Sequence, residues 1–125
     1  ALNCATSIDL VFLVDGSSTM QSQFENAKRF MYKLMPHFEP EKSGSRYGMV
    51  TFAYTPVENV VSNYYPRVEF SLDETDPAQF NASIRAPGGL TFLRPGLEMV
   101  DPANNRLAWR NDSAVHRVVL LMTDG

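Results

Sequence analysis

The sequence has little of several features that would place it in a special class of protein. Its 125 residues include one cysteine and two histidines, and the formal net charge is only −3. This near-balance of charge gives no reason to expect binding to nucleic acid or to an anionic membrane surface. No apolar run approaches the roughly 20 residues that span a bilayer, so we expect no direct membrane insertion. With 44% hydrophobic residues, the chain predicts one ordinary globular domain over residues 1–125.

The single cysteine, Cys4, cannot form a disulfide within this chain. It is either a free thiol in a reducing compartment or half of a disulfide whose partner lies outside these residues. Two N-x-S tripeptides begin at Asn81 and Asn111 and are candidate glycosylation sites, which favours a secreted protein. Such tripeptides also arise by chance, so each is slight evidence.

The most informative stretch is residues 8–19, which read I-D-L-V-F-L-V-D-G-S-S-T. A short apolar run that ends at Asp15 is typical of a strand buried on both faces in a parallel sheet. Open α/β sheets bind ligands at the carboxyl ends of such strands. Ser17 and Thr19 follow closely, and an all-oxygen set suits a hard cation such as Mg²⁺. The alternative is a simple turn in which Asp15, Ser17 and Ser18 cap the next helix.

A helix is predicted next. Ser22 begins a capping-box pattern, and Pro36 should end or bend the helix. Apolar residues recur at helical spacing between these points, and we expect their stripe to pack against the sheet. This stripe consists of Phe24, Ala27, Met31, Leu34, Met35 and Phe38.

Further strands and helices follow in alternation. Residues 46–53 predict a second strand, and residues 57–61 pair with it as an antiparallel edge that Val68 and Phe70 extend or cover. Asp76 is the predicted N-cap of a short helix, since proline follows it directly. The order of elements along the chain is that of an α/β protein.

The last part of the chain predicts a helix over residues 93–100 and a second buried-type strand over residues 115–123. That strand ends on Asp124, as the first ends on Asp15. If the two strands are parallel neighbours, both carboxylates emerge side by side at one edge of the sheet. The loop that contains Thr91 also precedes a helix, so it would bring a third hydroxyl to the same edge.

Taken together, these stretches resemble a von Willebrand factor A domain, the fold shared with the inserted domain of integrins. The family carries a metal-ion-dependent adhesion site with the pattern D-x-S-x-S, then a distant threonine and a distant aspartate. Asp15-Gly-Ser17-Ser-Thr19 matches the first part, with threonine for the second serine. Gly89-Leu-Thr91 matches the threonine loop, and Thr123-Asp124-Gly125 matches the last part.

The resemblance implies a Rossmann-like open, mostly parallel sheet with one antiparallel edge strand and helices on both faces. It also implies that Ser17 and Thr19 ligate Mg²⁺ directly, with Mn²⁺ or Ca²⁺ as alternatives. Thr91 would join directly or through water, and Asp15 and Asp124 would act largely through water. A Glu or Asp carboxylate from a protein partner would complete the octahedron, because few direct protein charges leave the ion electrophilic.

This chain departs from the family pattern in several places. Ser18 stands where the family often has glycine, and Asp101-Pro102 interrupts a helix that the family continues. The resemblance covers only the N-terminal two-thirds of a family domain, so we expect a fragment that is incomplete relative to the family. The strand over residues 115–123 would then leave a bare apolar edge. Cys4 fits this expectation, because family members often pair a cysteine near the start with one beyond the domain.

The function implied is a metal-dependent adhesion or matrix-interaction module on an extracellular, secreted or cell-surface protein. The first alternative is a structural A-type domain with an unused metal site, which serves assembly, including self-assembly. An enzyme is the weaker alternative: aspartate-nucleophile phosphatases need a second aspartate where Ser17 stands, and no G-x-S-x-G elbow exists. His37 and His116 are predicted to lie far from Ser17, which argues against a Ser-His-Asp triad.

Overall fold

The computed structural model describes residues 7–38, 44–53 and 66–124. Strand β1 (Ile8–Asp15) pairs in parallel with β2 (Arg46–Phe52) on one side and with β4 (His116–Met122) on the other. Strand β3 (Arg67–Phe70) is antiparallel to β2, so the order is β3-β2-β1-β4. The predicted mostly parallel sheet with one antiparallel edge strand is confirmed.

The central strand β1 forms the middle of the hydrophobic core. Leu10 is 3% exposed, and the four residues from Val11 to Val14 are fully buried. Because side chains alternate along a strand, Phe12 and Val14 face one core cluster while Val11 and Leu13 face another. The prediction of a strand buried on both faces is confirmed.

Helix α1 (Gln21–Leu34) covers the first of these clusters, to which it contributes Phe24 and Met31. The predicted capping box at Ser22 is wrong. A 3-10 turn over Ser18–Met20 precedes the helix, and no side chain caps it. The helical path therefore begins before Ser22. The helix ends before Pro36, as predicted, in a 3-10 turn over Met35–Phe38.

Helix α2 (Leu93–Val100) covers the opposite face of the sheet and matches the predicted residues. It lies very close to the strands, because a Cβ on Gly96 would meet the Cβ of Phe52 at 3.1 Å. After the helix, Asp101 has extended backbone and its side chain accepts a bond from Ala103 N, which starts a 3-10 turn at Pro102. Helices on both faces of the sheet are confirmed.

The antiparallel edge is made by β3, which includes Val68 and Phe70. The strand predicted at residues 57–61 lies outside the described residues. The short helix predicted after Asp76 is a 3-10 turn, Pro77–Phe80, and the Asp76 side chain makes no capping bond. The backbone of Asp76 has φ −138° and ψ 80°, outside the regular helical and extended regions.

The opposite edge of the sheet is β4, which is predominantly exposed although its sequence is apolar. Val118, Val119 and Leu121 are 40%, 41% and 41% exposed. Among the described strands only β1 lies beside it, which explains the exposure. The apolar edge predicted for this strand is therefore present. None of the described helices has the length and apolar character needed to cross a membrane.

Candidate metal centre

The buried carboxylate of Asp15 is the centre of the site. Asp15 is fully buried at the end of β1. Its Oδ1 accepts a hydrogen bond from Ser17 N at 2.9 Å, and its Oδ2 accepts one from Thr123 Oγ1 at 2.8 Å. Thr91 Oγ1 lies 3.5 Å from the same Oδ2, a long contact. One carboxylate thus gathers groups from three turns that are distant in sequence.

Two more hydroxyls lie beside this carboxylate. Ser17 Oγ and Thr19 Oγ1 form a hydrogen bond of 3.2 Å. Ser17 is 1% exposed, whereas Thr19 is open to solvent. Two oxygens that bind Mg²⁺ at about 2.1 Å and at right angles are about 3.0 Å apart. The observed separation therefore fits two adjacent ligands of one small hard cation.

The turn that carries these hydroxyls is shaped by the backbone. Met20 N donates to Ser17 O at 3.0 Å and closes the 3-10 turn, while Gly16 N donates to Phe52 O at 2.9 Å and ties the turn to β2. A Cβ on Gly16 would lie 2.5 Å from Pro87 Cδ. Only glycine allows the two segments to approach so closely at this point.

The loop of residues 88–91, here called the threonine loop, is fixed to that turn by three hydrogen bonds. Gly88 N donates to Gly16 O at 2.9 Å, and Ser18 N donates to Gly89 O at 2.9 Å. Gly89 N donates to Ser18 Oγ at 2.8 Å. The glycines have φ values of +79° and +93°, which residues with a side chain rarely adopt. Our sequence reasoning missed this contribution of Ser18.

The last turn places Thr123, rather than Asp124, against Asp15. In the parallel register Val14 pairs with Met122, so Thr123 lies level with Asp15 and Asp124 lies one residue farther out. Asp124 is exposed. Sequence reasoning missed Thr123 as a partner of Asp15. Its position immediately before Asp124 at the end of a strand was the available signal.

The side-chain oxygens that could bind a metal ion here come mainly from hydroxyl groups. The part of the chain that the structure describes contains no group of three or more His, Cys, Asp or Glu side chains that would hold a metal ion. Zinc or a similar soft ion would need nitrogen or sulfur ligands, so the set does not suit one. Hydroxyls with a buried carboxylate suit Mg²⁺, and the residues brought together here that could hold it are Asp15, Ser17, Thr19 and Thr91. Asp124, the fifth predicted residue, is exposed and lies one position beyond Thr123.

The remaining predicted sites lie apart from this centre. Asn81 and Asn111 are both exposed. The Asn81 backbone carbonyl accepts a bond from the buried Lys28 Nζ at 2.8 Å, which fixes its segment against α1. Cys4 lies outside the described residues.

This fold and these turns agree with the comparison against known protein families. The model of the von Willebrand factor type A domain matches residues 9–125, so the chain belongs to that family. The family often mediates protein–protein or adhesion interactions, and its members are typically interaction modules rather than enzymes. The chain is also similar to Vitrin of Mus musculus, with 27% identity over 124 residues. That match covers 98% of this chain and 18% of the length of Vitrin.

Proposed function

We propose that this chain is a divalent-metal-dependent binding module that captures a carboxylate of a partner protein. The metal is Mg²⁺, with Mn²⁺ or Ca²⁺ as substitutes, and its site is formed by Asp15, Ser17, Thr19, Thr91 and Asp124. When bound, the ion supplies an electrophilic position that a Glu or Asp side chain of the partner can occupy. The protein acts outside the cell, as a secreted or cell-surface component in adhesion or matrix interaction.

The observation that carries this proposal is the uncompensated charge of Asp15. A buried carboxylate in a folded protein is normally paired with a cation or coordinates a metal. Asp15 is fully buried, and its bonds come from one amide and from hydroxyls, all of them neutral. Within residues 7–38, 44–53 and 66–124 no Lys, Arg or His side chain pairs with it. A divalent cation beside Asp15 would provide the missing charge.

The roles of four of these residues follow from their contacts and exposure. Asp15 holds Thr123 by a 2.8 Å hydrogen bond and lies near Thr91, so it fixes the two more distant turns. Ser17 and Thr19 offer oxygens at 3.2 Å from each other. Thr19 and Thr91 are exposed, which leaves an open side on which a partner can approach.

The surroundings of Thr91 favour a protein as the partner. Leu90 and Phe92 flank Thr91 and are 60% and 46% exposed. Large apolar side chains beside a polar centre are typical of the part of a surface that contacts another protein. A partner with an acidic residue next to a bulky apolar one would use both features.

Metal binding is tested by calorimetric titration with MgCl₂. The unaltered chain should bind one ion, and Thr19→Val, which keeps the shape but removes the oxygen, should weaken binding at least tenfold. Ser22→Ala is the matched control, because it removes an exposed hydroxyl from the adjacent helical turn. Equal affinity of Thr19→Val and the unaltered chain would contradict the proposed ligand set.

Carboxylate capture is tested with Mn²⁺ as a paramagnetic substitute. An open position keeps a fast-exchanging water on the ion, so N-acetylglutamate amide should lower the water-proton relaxation rate of the Mn²⁺-loaded protein. N-acetylglutamine amide has the same shape without the charge and should have no effect. Equal responses to the two compounds would show that the site does not select a carboxylate.

A second candidate function is assembly through protein surfaces, with the metal site unused. It is favoured by the exposed apolar residues Val118, Val119 and Leu121 on the edge strand β4, since such edges pair with other strands. Sedimentation equilibrium in EDTA separates the two candidates. Assembly that persists without metal and is lost in Val119→Lys would support this second function.

Glycosylation, which is expected of a secreted protein, is tested at the two tripeptides. Asn81 and Asn111 are exposed, as glycosylation requires. The protein secreted from an animal cell line should lose mass on treatment with peptide N-glycosidase F. The Asn81→Gln and Asn111→Gln variants would assign the loss to each position. An unchanged mass of the secreted protein would show that neither tripeptide is used.

A further inference from the structure

The side chain of Ser18 joins two of the turns that form the candidate metal centre. Gly89 N donates to Ser18 Oγ at 2.8 Å, and Ser18 N donates to Gly89 O at 2.9 Å. The two residues are 71 positions apart in sequence. Paired bonds between single residues of two loops fix both the distance and the relative orientation of the loops.

Among the hydrogen bonds that hold the threonine loop to this turn, one comes from a side chain. The bond from Gly88 N to Gly16 O and that from Ser18 N to Gly89 O join backbone groups alone. Both glycines have positive φ. Glycine adopts positive and negative φ about equally, so its backbone alone does not fix the conformation of this loop. The bond from Gly89 N to the Ser18 hydroxyl, here called the tie, is therefore the one that a substitution can remove without altering the backbone.

The contact that depends on this tie is the one between Thr91 and Asp15. Thr91 follows the glycines in the same loop, and its Oγ1 lies 3.5 Å from Asp15 Oδ2. This distance is at the limit of a hydrogen bond, so a small shift of the loop breaks it. Ser17 and Thr19, by contrast, lie on the same short turn as Ser18 and do not need the tie.

We propose that Ser18 is a positioning residue that keeps Thr91 beside Asp15 and thereby raises the affinity of the site for Mg²⁺. This inference rests on the proposed function. In this proposal Ser18 acts through Thr91 rather than as a ligand, since its Oγ is bonded to Gly89 N of the threonine loop. The hydroxyl of Ser18 thus adds a side-chain bond between the threonine loop and the turn.

The test is a double-mutant cycle on Mg²⁺ affinity, measured by calorimetric titration of Ser18→Ala, Thr91→Ala and the double variant. Loss of one hydrogen bond, worth about 1 kcal/mol, should weaken binding about fivefold in Ser18→Ala. In the Thr91→Ala background the same change should have less than a twofold effect, because Thr91 no longer transmits it. Ser18→Thr keeps the hydroxyl and should retain affinity, as should the control Ser22→Ala.

A readout without metal is the exchange of the Gly89 amide hydrogen. It should be faster in Ser18→Ala than in the unaltered chain and should return to the original rate in Ser18→Thr. Unchanged exchange, unchanged affinity of Ser18→Ala, or equal losses in both backgrounds would each overturn the role of Ser18 alone. Failure of the unaltered chain to bind Mg²⁺ would overturn the metal proposal and this one with it.

Discussion

Strand β1 carries a fully buried aspartate near each end, and the two have opposite surroundings. Asp9 Oδ1 accepts a hydrogen bond from Arg110 Nε at 2.8 Å, and its Oδ2 accepts one from Arg110 N at 2.9 Å. Arg110 Nη2 lies 2.7 Å from Oδ1 and completes the ion pair. The carbonyl of Arg110 in turn accepts a bond from Arg117. Asp15 has only neutral donors around it.

Burial alone therefore does not show whether a carboxylate has its counter-charge within the fold. Both side chains are equally removed from solvent, and both belong to the same strand. Asp9 has its counter-charge, Arg110, within the fold, so the amino end of the sheet contains no unpaired buried charge. Asp15 lacks one within the described residues, so the carboxyl end of the sheet retains a charge that a cation from solution can neutralise.

The largest loss of stability is expected from breaking the ion pair of Asp9 and Arg110 at the amino end of β1. Arg110→Ala leaves the Asp9 carboxylate buried without its counter-charge, although the backbone N–H of residue 110 remains, and should lower the free energy of unfolding by about 3–5 kcal/mol. Urea unfolding measures this loss. Arg94→Ala is the control, since Arg94 and Glu98 form an exposed pair whose loss should cost about 0.5 kcal/mol or less. Similar losses in both variants would remove the distinction between the two kinds of pair.

At the carboxyl end, Asp15→Asn should behave in the opposite way. Without metal it should unfold at the same or a higher urea concentration, because it removes an unpaired buried charge. It should also lose the stabilisation that Mg²⁺ gives the unaltered chain, about 2.7 kcal/mol at an ion concentration one hundred times the dissociation constant. Urea unfolding in EDTA and in MgCl₂ measures both. A large loss of stability in EDTA would make Asp15 structural, like Asp9.

Alkaline pH should lower the free energy of unfolding through Tyr47, which is buried near the amino end of the sheet. Burial raises the pKa of Tyr47 to about 12, and its hydroxyl donates to Met35 O. The neutral phenol is favoured in the fold, so this stability is complete below pH 10 and is lost as pH rises towards 12. The loss is at most about 2–3 kcal/mol, since one pKa unit corresponds to 1.36 kcal/mol. Urea unfolding of Tyr47→Phe should show a smaller decline over this interval; an identical decline would assign the effect elsewhere.

The smallest effect is expected from Thr51→Val beneath the carboxyl end. Thr51 is fully buried, and its Oγ1 has no hydrogen-bond partner among the described residues. Valine has the same shape without the unsatisfied hydroxyl, so unfolding should require about 1 kcal/mol more. Thermal unfolding measures this gain. A loss of stability would show that the hydroxyl has a partner, such as an ordered water.

Much of the fold could be predicted because it depends on short-range patterns. The apolar run of β1, bounded by Asp15 and Gly16, specifies a buried strand by itself, and residues 93–100 match α2 without a shift. The start of α1 could not be predicted from Ser22, because the preceding turn is formed by the backbone of Ser17 and Met20. The capping-box pattern at Ser22 therefore does not indicate the 3-10 turn that precedes the helix.

The sequence could predict that several residues of the candidate site lie at one edge of the sheet, but not which contacts they make. Asp15, Ser17, Thr19 and Thr91 follow strand or loop patterns that place them at one edge of the sheet. The bonds of Thr123 to Asp15 and of Arg110 to Asp9 join residues 108 and 101 positions apart. Such contacts depend on the register of β1 with β4 and on the path of the chain after α2, which no local pattern specifies.

The position of β1 between β2 and β4 has a consequence for how the protein folds. Thr123 can reach Asp15 only after the parallel pairing of β1 with β4 has closed a loop of about one hundred residues, a slow, entropically costly event. Early folding species that contain only β1, α1 and β2 would present Ser17 and Thr19 but not the complete pocket. Ion affinity would therefore develop late in folding, and a rapid-mixing experiment with Mn²⁺ would time the completion of the sheet.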